Sequence, residues 1–298
     1  MRRTFLSKVR NMIIEEPDTV FMTVDIGMWA IRDVLRDYSD RCMNFGICED
    51  AMMSIAAGMA KGGLVPTVFG IQPYLIERAL EQIKMDLAYQ KCGVNVVGTG
   101  AAIDYSKYGY SHYCAEDVGV IKQIPNVEFI APGTADEFNS LFEQTYRNGN
   151  STFFRISDHP NKKNDINVKF GKATVIQSGC DATVIAVSNM LDDVMEVCEG
   201  KNVTVLYYTT LAPFDKETLK ECPSRKILVC EPHFKGSLDE DILDTFEGES
   251  IVVRHVGLPR EIYRNYGIYQ DKIDYYELNS ERIKRELDLL IYGEHKSN

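Results

Sequence analysis

Glu49 opens a segment of small and apolar residues, 51–60, whose composition predicts a buried helix. A carboxylate in such surroundings is costly to ionise. Glu49 is therefore predicted either to have a partner or to take part in proton transfer. The alternative interpretation is a glutamate in the first turn of a helix, where the helix dipole stabilises the negative charge.

His112 closes a long loop, residues 99–111, that is rich in glycine, serine and tyrosine. A loop of this length inside a compact domain usually has a function. A histidine side chain titrates near pH ~6.5, where it can both accept and donate a proton. The sequence makes His112 a candidate for proton transfer, with a structural histidine as the alternative.

Short apolar runs alternate with helical patterns over nearly the whole chain, which is typical of α/β folds with mostly parallel strands. A polar, turn-rich segment at 157–165 predicts a linker. We therefore expect two doubly wound α/β domains, residues 1–160 and 161–298. The predicted helices are 3–16, 49–61, 73–89, 115–123, 134–147, 191–198, 238–246 and 280–291, and the predicted strands are 20–24, 65–69, 94–98, 127–131, 152–156, 174–176, 183–186, 203–207, 226–229 and 251–253.

The composition argues against several kinds of partner. The net charge is −11, and nucleic acids and anionic membranes repel an acidic protein. The eight cysteines form no Cys-x-x-Cys pair and the five histidines lie away from paired cysteines, so the sequence indicates no metal site. Scattered cysteines predict reduced thiols in a cytoplasmic protein. No apolar run approaches the roughly 20 residues that span a bilayer.

Several short motifs occur in the order and spacing of the C-terminal half of the transketolase family, and the resemblance covers nearly the whole chain. That half comprises a pyrimidine-binding domain and a C-terminal domain. The motifs that resemble the family are Thr-Val-Asp-Ile-Gly at 23–27, Phe-Gly-Ile-Cys-Glu at 45–49, Tyr-Ser-His at 110–112, Glu-Asp at 116–117 followed by Ile-Pro-Asn at 124–126, Ala-Pro at 131–132 with Asp-Glu at 136–137, and Cys-Glu-Pro-His at 230–233 with Gly-Ser-Leu at 236–238.

The resemblance implies that the chain acts with thiamine diphosphate, and that Glu49 activates this cofactor by hydrogen bonding to its aminopyrimidine ring. Shielding of the acid keeps the proton exchange between acid and ring rather than with water. The family's matching histidine, here His112, faces the substrate. Asp25 is implied to lie near the cofactor and the boundary between subunits, with a capping aspartate before Gly27 as the alternative.

The pyrimidine ring is expected to need aromatic and apolar neighbours. Phe69, at the end of a predicted strand, is the candidate for stacking on the ring, with an ordinary core residue as the alternative. The family often has a second aromatic residue three positions later, where this chain has Gln72. Tyr74 is the nearest replacement. The resemblance also places Ile47, within the glutamate motif, and Gln72 beside the cofactor.

Part of the family's active site is missing from this sequence. The family's other half binds the diphosphate through Mg2+, with a Gly-Asp-Gly turn and a downstream asparagine, and no Gly-Asp-Gly occurs here. The resemblance therefore implies a split enzyme, in which a second polypeptide mainly holds the diphosphate and Mg2+. We expect at least a heterodimer, and by resemblance an α2β2 tetramer.

The departures from the family concern the substrate. Tyr108 replaces an aspartate that contacts a donor hydroxyl, and Asp158 stands near the position of a phosphate-binding arginine, where it would repel phosphate. Arg155 and His159, next to that position, are candidate substrate residues, although Arg155 could equally pair with a core carboxylate. We expect transfer of a two-carbon ketol unit between sugar-type substrates, in the metabolism of modified carbohydrates.

Two other functions are compatible with the same sequence. The β subunit of a 2-oxo-acid dehydrogenase shares this architecture and would decarboxylate a 2-oxo acid, although the spacing of the His112 loop is more similar to that of transketolases. The other alternative is a non-catalytic subunit that only supports its partner. The presence of both Glu49 and His112 argues against it.

Overall fold

The computed structural model describes residues 1–162 and 165–293, and twelve strands form two sheets within them. In chain order the strands are β1 (Thr19–Thr23), β2 (Cys42–Asn44), β3 (Val65–Ile71), β4 (Asn95–Thr99), β5 (Val127–Ile130), β6 (Ser151–Ile156), β7 (Thr174–Gln177), β8 (Thr183–Val187), β9 (Thr204–Tyr208), β10 (Thr210–Ala212), β11 (Lys226–Phe234) and β12 (Val252–Leu258). The first sheet has seven strands in the order β10-β5-β6-β4-β3-β1-β2, and the second has five in the order β12-β11-β8-β9-β7.

Both sheets are mostly parallel, with one antiparallel edge strand each, β10 against β5 and β7 against β9. Parallel strands are connected by helices that cover both faces of the sheet. Accordingly β1, β4, β6, β8 and β9 are buried at every position. This explains why the strands read as continuous apolar runs in the sequence.

The helices lie on the faces of the two sheets. They are α1 (Arg2–Glu15), α2 (Arg32–Asp37), α3 (Glu49–Lys61), α4 (74–88), α5 (Asp117–Ile121), α6 (Ala135–Thr145), α7 (Leu191–Cys198), α8 (Lys216–Lys220), α9 (Asp239–Thr245), α10 (Tyr269–Tyr275) and α11 (Ser280–Tyr292). In α3 the acids of the first turn and Lys61 of the last turn both complement the helix dipole. Helix α4 is π-helical at Tyr74–Arg78 and Ile83–Ala88, a feature often found at functional sites.

The predicted α/β class and the mostly parallel sheets are confirmed. The predicted helices and strands are present, with ends that differ by a few residues. The sequence did not indicate β2 and β10, because three residues are too short to show a pattern. The predicted helix 73–89 exists, but its π-helical turns are not visible in an apolar period of this length.

The described part of the predicted linker is held in place by hydrogen bonds rather than free. Asn161 is buried, and its side-chain amide donates to the carbonyl of Ser188 at 2.9 Å. The backbone N–H of Lys162 donates to Asp192 at 2.6 Å. Residues 163 and 164 of the predicted linker lie outside the described residues.

The two halves of the chain are joined beyond this connection. Strand β10, from the second half, completes the first sheet, and the N–H of Phe234 donates to the carbonyl of Ala115 at 2.8 Å. The division at residues 160 and 161 stays a prediction. Within the described ranges, no helix combines the length and the apolar character needed to cross a membrane.

Candidate active site

A cavity of about 840 Å³ lies where the parallel strands of the first sheet end. Ile26 follows β1, Ile71 ends β3, His112 belongs to the loop after β4, and His159 follows β6. Ligands of open α/β sheets bind outside the carboxyl ends of the strands. The topology therefore brings His112 and His159, two of the predicted site residues, to one cavity.

His112 lies in an aromatic wall of this cavity. The Tyr74 hydroxyl is 3.4 Å from both of its ring nitrogens, and Ser111 Oγ is 3.0 Å from Nδ1. Its ring centroid lies 5.0 Å from that of Tyr108 and 6.5 Å from that of Tyr105. Burial lowers the pKa of His112 below its ordinary value, so the imidazole is neutral at pH 7 and can accept a proton.

Tyr108, a predicted substrate residue, is 63% exposed and lines the cavity. His159 also lines it, and its ring stacks on Tyr269 with centroids 3.5 Å apart. Tyr269 comes from the second half of the chain, and no sequence pattern connected it with the site. Burial lowers the pKa of His159 despite the opposing charge of Asp158.

Two acids, Asp104 and Asp158, line the cavity next to each other. Asp104 accepts hydrogen bonds from the N–H of Ala101 at 3.1 Å, the hydroxyl of Ser157 at 3.0 Å and the N–H of Asp158 at 2.8 Å. Even so, burial raises the pKa of Asp104 to about 7. Arg2 and the exposed Lys107 line the cavity beside these acids.

Glu49 is buried at the start of α3, as predicted, with 3% of its side chain exposed. It has a charged partner, because Arg78 Nη1 donates a short hydrogen bond to Glu49 Oε2. Arg78 is on α4 and is 39% exposed at its side chain. The sequence predicts either a partner or a role in proton transfer for Glu49, and the structure shows a partner, Arg78.

Tyr74 connects this ion pair with the histidine. The Arg78 guanidinium carbon lies 4.7 Å from the centroid of the Tyr74 ring, within the range of a cation–π contact. The Tyr74 hydroxyl then reaches the His112 ring. A continuous series of contacts thus runs from Glu49 through Arg78 and Tyr74 to His112. The sequence did not single out Arg78, although a basic residue four positions after Tyr74 on a helix was a usable signal.

Phe69 does not face the cavity, so its prediction as the stacking residue is wrong. It is fully buried, and its ring packs against Phe5 with centroids 5.1 Å apart and against Phe21 at 6.5 Å. This is the ordinary core position that was the alternative. Among the aromatic residues predicted near the cofactor, Tyr74 is the one that contacts both His112 and Arg78, the partner of Glu49.

Gln72 and Arg155 belong to a buried polar cluster, not to the cavity wall. Arg155 is 1% exposed, and its Nε donates to Asp117 at 2.7 Å. The Gln72 amide donates to the same Asp117 oxygen at 3.3 Å. The assignment of Gln72 to the cofactor and of Arg155 to the substrate is therefore corrected, and Arg155 pairs with a core carboxylate.

Asp25 and Ile47 are both exposed near the ends of β1 and β2. Asp25 has a positive φ of 55°, and Asn44 holds it there by accepting from its N–H at 2.9 Å and donating to Oδ1 at 2.7 Å. Ile47 is 70% exposed in the turn before Glu49. Neither Asp25 nor Ile47 lines the cavity that contains His112.

A second network, which is partly buried, lies in the other half of the chain around His255. Its Nδ1 is 3.4 Å from Glu231 Oε1, and its Nε2 is 3.1 Å from Asp239 Oδ1. Burial alone would lower the pKa of His255, but these two acids outweigh it and raise the pKa to about 9. His255 is not a lining residue of the cavity around His112.

Comparison with known proteins places this chain in a family. Residues 1–159 match the family described as transketolase, pyrimidine binding domain, and residues 171–283 match the transketolase C-terminal domain. The two matched segments follow each other along the chain in the order that the motifs predict.

Relatives and a solved structure extend over nearly the whole chain. The chain is 28% identical to an uncharacterized 33.6 kDa protein in the fasciation locus of Rhodococcoides fascians, over 97% of this chain and 94% of the relative. It is 24% identical to a protein of Phocaeicola vulgatus that is named as one of the subunits of apulose-4-phosphate transketolase, over 91% of this chain and 94% of the relative. A structure described as a split gene transketolase, inactive beta4 tetramer, has the same fold, with a TM-score of 0.85, 22% identity and 97% of each chain covered.

Proposed function

Because the chain belongs to the transketolase family and corresponds to the C-terminal half of a split transketolase, we propose that it transfers a two-carbon ketol unit between sugar-type substrates. The observation that carries the proposal is the series of contacts from the buried Glu49 through Arg78 and Tyr74 to His112 in the cavity. It joins an acid suited to a cofactor ring with a base suited to a substrate hydroxyl.

The family implies thiamine diphosphate, and the residues around Glu49 fit one side of its aminopyrimidine ring. When bound, this cofactor supplies the carbon nucleophile that attacks a ketose carbonyl and holds the two-carbon fragment. Arg78 donates to Glu49 Oε2, and among the described residues none hydrogen bonds to Oε1, which leaves one carboxyl oxygen for a ring nitrogen. Ile47 offers an exposed apolar side chain two residues away.

The role of Arg78 follows from its hydrogen bond to Glu49. Arg78 Nη1 donates to Glu49 Oε2, and a charge-assisted hydrogen bond of this kind fixes the geometry of both groups. Arg78 thus acts as a positioning residue that holds the buried carboxyl group of Glu49 in one orientation.

In this proposal the partner subunit holds the diphosphate and Mg2+. In the described residues, the group of side chains close enough to share an ion is Glu77, Cys114 and Glu116. It includes a buried thiol, whereas Mg2+ prefers oxygen ligands. Burial and the charge of Glu116 raise the pKa of Glu77 to about 7, which favours a shared proton over a metal ion. We propose an α2β2 assembly in which each active site takes residues from both kinds of subunit.

The substrate side of the site supports a modified sugar rather than a simple sugar phosphate. The aromatic wall of Tyr105, Tyr108 and Tyr269 suits the apolar face of a sugar ring. Arg155 is buried and paired, so it is not free to bind a phosphate. The relative from Phocaeicola vulgatus is named for a sugar phosphate, apulose-4-phosphate, so in this proposal a phosphate on the substrate would be bound by the cations that line the cavity, Arg2 and Lys107.

The test is reconstitution of the chain with the subunit that carries the diphosphate-binding half, in the presence of thiamine diphosphate and Mg2+. Ketol transfer is followed by mass spectrometry of the products from a panel of ketose donors and aldehyde acceptors. Glu49→Gln keeps the size of the side chain and removes its charge, so we expect a loss of kcat of about 10²-fold or more.

Glu143→Gln is the matched control, because Glu143 is an exposed acid paired with Lys8 on the protein surface. We expect its activity to equal that of the unchanged protein. Full turnover by Glu49→Gln would show that the chain only supports its partner. Release of CO2 from pyruvate, with no transfer from any ketose, would instead identify a 2-oxo-acid dehydrogenase component.

A further inference from the structure

A second cavity, of about 900 Å³, lies beside the cavity that contains His112, and Arg2 lines both. Its walls include Trp29, Arg3, Arg32 and Arg36. Its volume is in the range of small-molecule binding sites. We refer to it as the Trp29 cavity.

Trp29 is presented to solvent by a well-defined loop. Gly27, at a φ of 75°, precedes the 3-10 turn Met28–Ile31 that carries the indole. The Thr23 hydroxyl donates to the carbonyl of Ile26 at 2.7 Å, which fixes the start of the loop. Trp29 is nevertheless 83% exposed. Met28, which is 36% exposed, lines the same cavity, so that Trp29 and Met28 form a contiguous exposed apolar surface of the kind that marks binding sites.

The charge around this cavity is opposite to that of the protein. The chain has a net charge of −11, yet four arginines line the Trp29 cavity, with Asp25 as the acid at its wall. Arg36 is neutralised by Asp37 at 2.6 Å, and Asp25 is held by Asn44. Within the described ranges, Arg3 and Arg32 make no ion pair. Two unpaired guanidinium groups at one cavity attract an anion.

The position of Arg32 completes the arrangement. Its guanidinium carbon lies 5.6 Å from the centroid of the Trp29 ring. Stacking on one side of the indole leaves the other side to a flat ligand ring, while the guanidinium protons can still bind phosphate oxygens. Proteins that bind single-stranded nucleic acid without reading its sequence combine the same two features, stacking of bases on aromatic side chains and positive charge along the phosphates.

We propose that the Trp29 cavity binds a nucleoside diphosphate. The base stacks on Trp29, and the phosphates are bound by Arg3 and Arg32. Arg2, which lines both cavities and whose Nη1 lies 3.4 Å from the Tyr105 hydroxyl, is at the boundary between them. A sugar attached to the second phosphate would extend past Arg2 toward Tyr108 and His112. This last step, that the nucleotide carries the sugar substrate, rests on the proposed function.

Trp29 provides a direct readout, because it is the only tryptophan in the chain. The full chain is titrated, without thiamine diphosphate, with ADP, UDP and CDP while its tryptophan emission is recorded. Adenosine, uridine and inorganic pyrophosphate serve as separate probes of the ring and of the anion. We expect a saturable change with the nucleoside diphosphates, and dissociation constants at least about 10-fold weaker for each of the partial ligands.

Variants separate the contributions of charge and ring. Arg3→Gln and Arg32→Gln should each weaken nucleoside diphosphate binding about 10-fold. Arg285→Gln, an exposed arginine paired with Glu277 in the second half, is the matched control and should bind as the unchanged protein does. Trp29→Ala, measured by calorimetry, should also bind at least about 5-fold more weakly. Circular dichroism shows whether each variant is folded.

Several outcomes would overturn the proposal. They are no saturable change at millimolar nucleoside diphosphate, an equal response to pyrophosphate alone, or equal weakening by Arg285→Gln. An emission shift that occurs only on mixing with a second protein subunit would make the cavity a protein contact, and the proposal would fail. Because binding is measured without the cofactor, this test is independent of the proposed function. Nucleotide binding without ketol transfer would refute that function alone.

Discussion

Replacement of Arg155 by methionine tests whether this residue belongs to the core or to the substrate site. Arg155 and Asp117 are 1% and 0% exposed at their side chains, with Nε and the carboxylate oxygen 2.7 Å apart. Methionine has a similar length and no charge. Its introduction leaves Asp117 as a buried carboxylate whose remaining contacts are the Gln72 amide at 3.3 Å and the Val118 N–H at 2.8 Å.

The expected loss of unfolding free energy is large compared with the total stability of a folded domain. Removing one member of a buried, hydrogen-bonded ion pair costs about 3 to 5 kcal/mol, against a total of about 5 to 15 kcal/mol for a folded domain. With an m value of about 3 kcal/mol/M, the urea midpoint should fall by about 1 to 2 M. Arg155 Nη1 and Nη2 are buried without a hydrogen-bond partner in the described part of the chain. The hydrogen bonds of the pair therefore do not fully compensate for the free energy lost when Arg155 and Asp117 are removed from water.

That incomplete compensation predicts the behaviour of a double variant. Replacing both charges with apolar groups of similar volume, as in Arg155→Met with Asp117→Leu, is often close to neutral for a buried pair. We therefore expect the double variant to be more stable than Arg155→Met alone. Arg285→Met removes an exposed arginine and should leave the urea midpoint unchanged.

The measurement is urea unfolding followed by circular dichroism on the full chain. An Arg155→Met protein with the midpoint of the unchanged chain, together with a raised KM for substrate in the reconstituted enzyme, would refute the core assignment. It would return Arg155 to the substrate site.

Three further outcomes are expected. The pKa of His255 is raised to about 9 in the folded chain, against about 6.5 in the unfolded chain. The stability that this histidine contributes is therefore complete below about pH 6.5 and is lost as the pH rises to about 9. Urea midpoints should fall over this range, and His255→Gln should abolish that part of the fall. Phe69→Ala should cost about 3 to 5 kcal/mol of stability as a core truncation, whereas Phe69→Leu should leave the thiamine diphosphate affinity of the reconstituted enzyme unchanged. The acidic limb of the kcat/KM profile that depends on His112 should lie below pH 6.5, because burial lowers its pKa, and an inflection above pH 6.5 would contradict this assignment.

The fold, and the edge of the sheet at which the candidate cavity lies, could largely be predicted, because both follow from patterns with a physical basis. Alternating apolar runs and helical periods indicate parallel strands with covering helices. The loop that contains His112 follows a buried strand, and the carboxyl ends of parallel strands meet at one edge of the sheet. The burial of Glu49 could be predicted from its neighbours in sequence, since α3 presents Met52, Met53 and Ala56 to the core.

The partners of these residues could not be predicted, because they come from elements that the sequence does not connect. Arg78 reaches Glu49 from α4, and Tyr269 reaches His159 from the second half of the chain. In a sheet covered on both faces, both sets of side chains are apolar and buried. An apolar run therefore did not show whether Phe69 faces a ligand or the core beneath α1, where Phe5 meets it.

One buried cluster accounts for two of the corrected assignments, that of Gln72 to the cofactor and that of Arg155 to the substrate. In the register of the sheet Arg155 on β6 is paired with Gly98 on β4, and a Cβ added at Gly98 would lie 1.4 Å from Gln72 Oε1. The Gln72 side chain thus fills the space above a glycine and reaches Asp117, which Arg155 neutralises. An aromatic residue in place of Gln72 would take the space of this amide and leave Asp117 with fewer donors. The glutamine and the buried arginine are therefore consequences of one packing arrangement, and Tyr74, two residues after Gln72, supplies the ring that contacts Arg78 and His112.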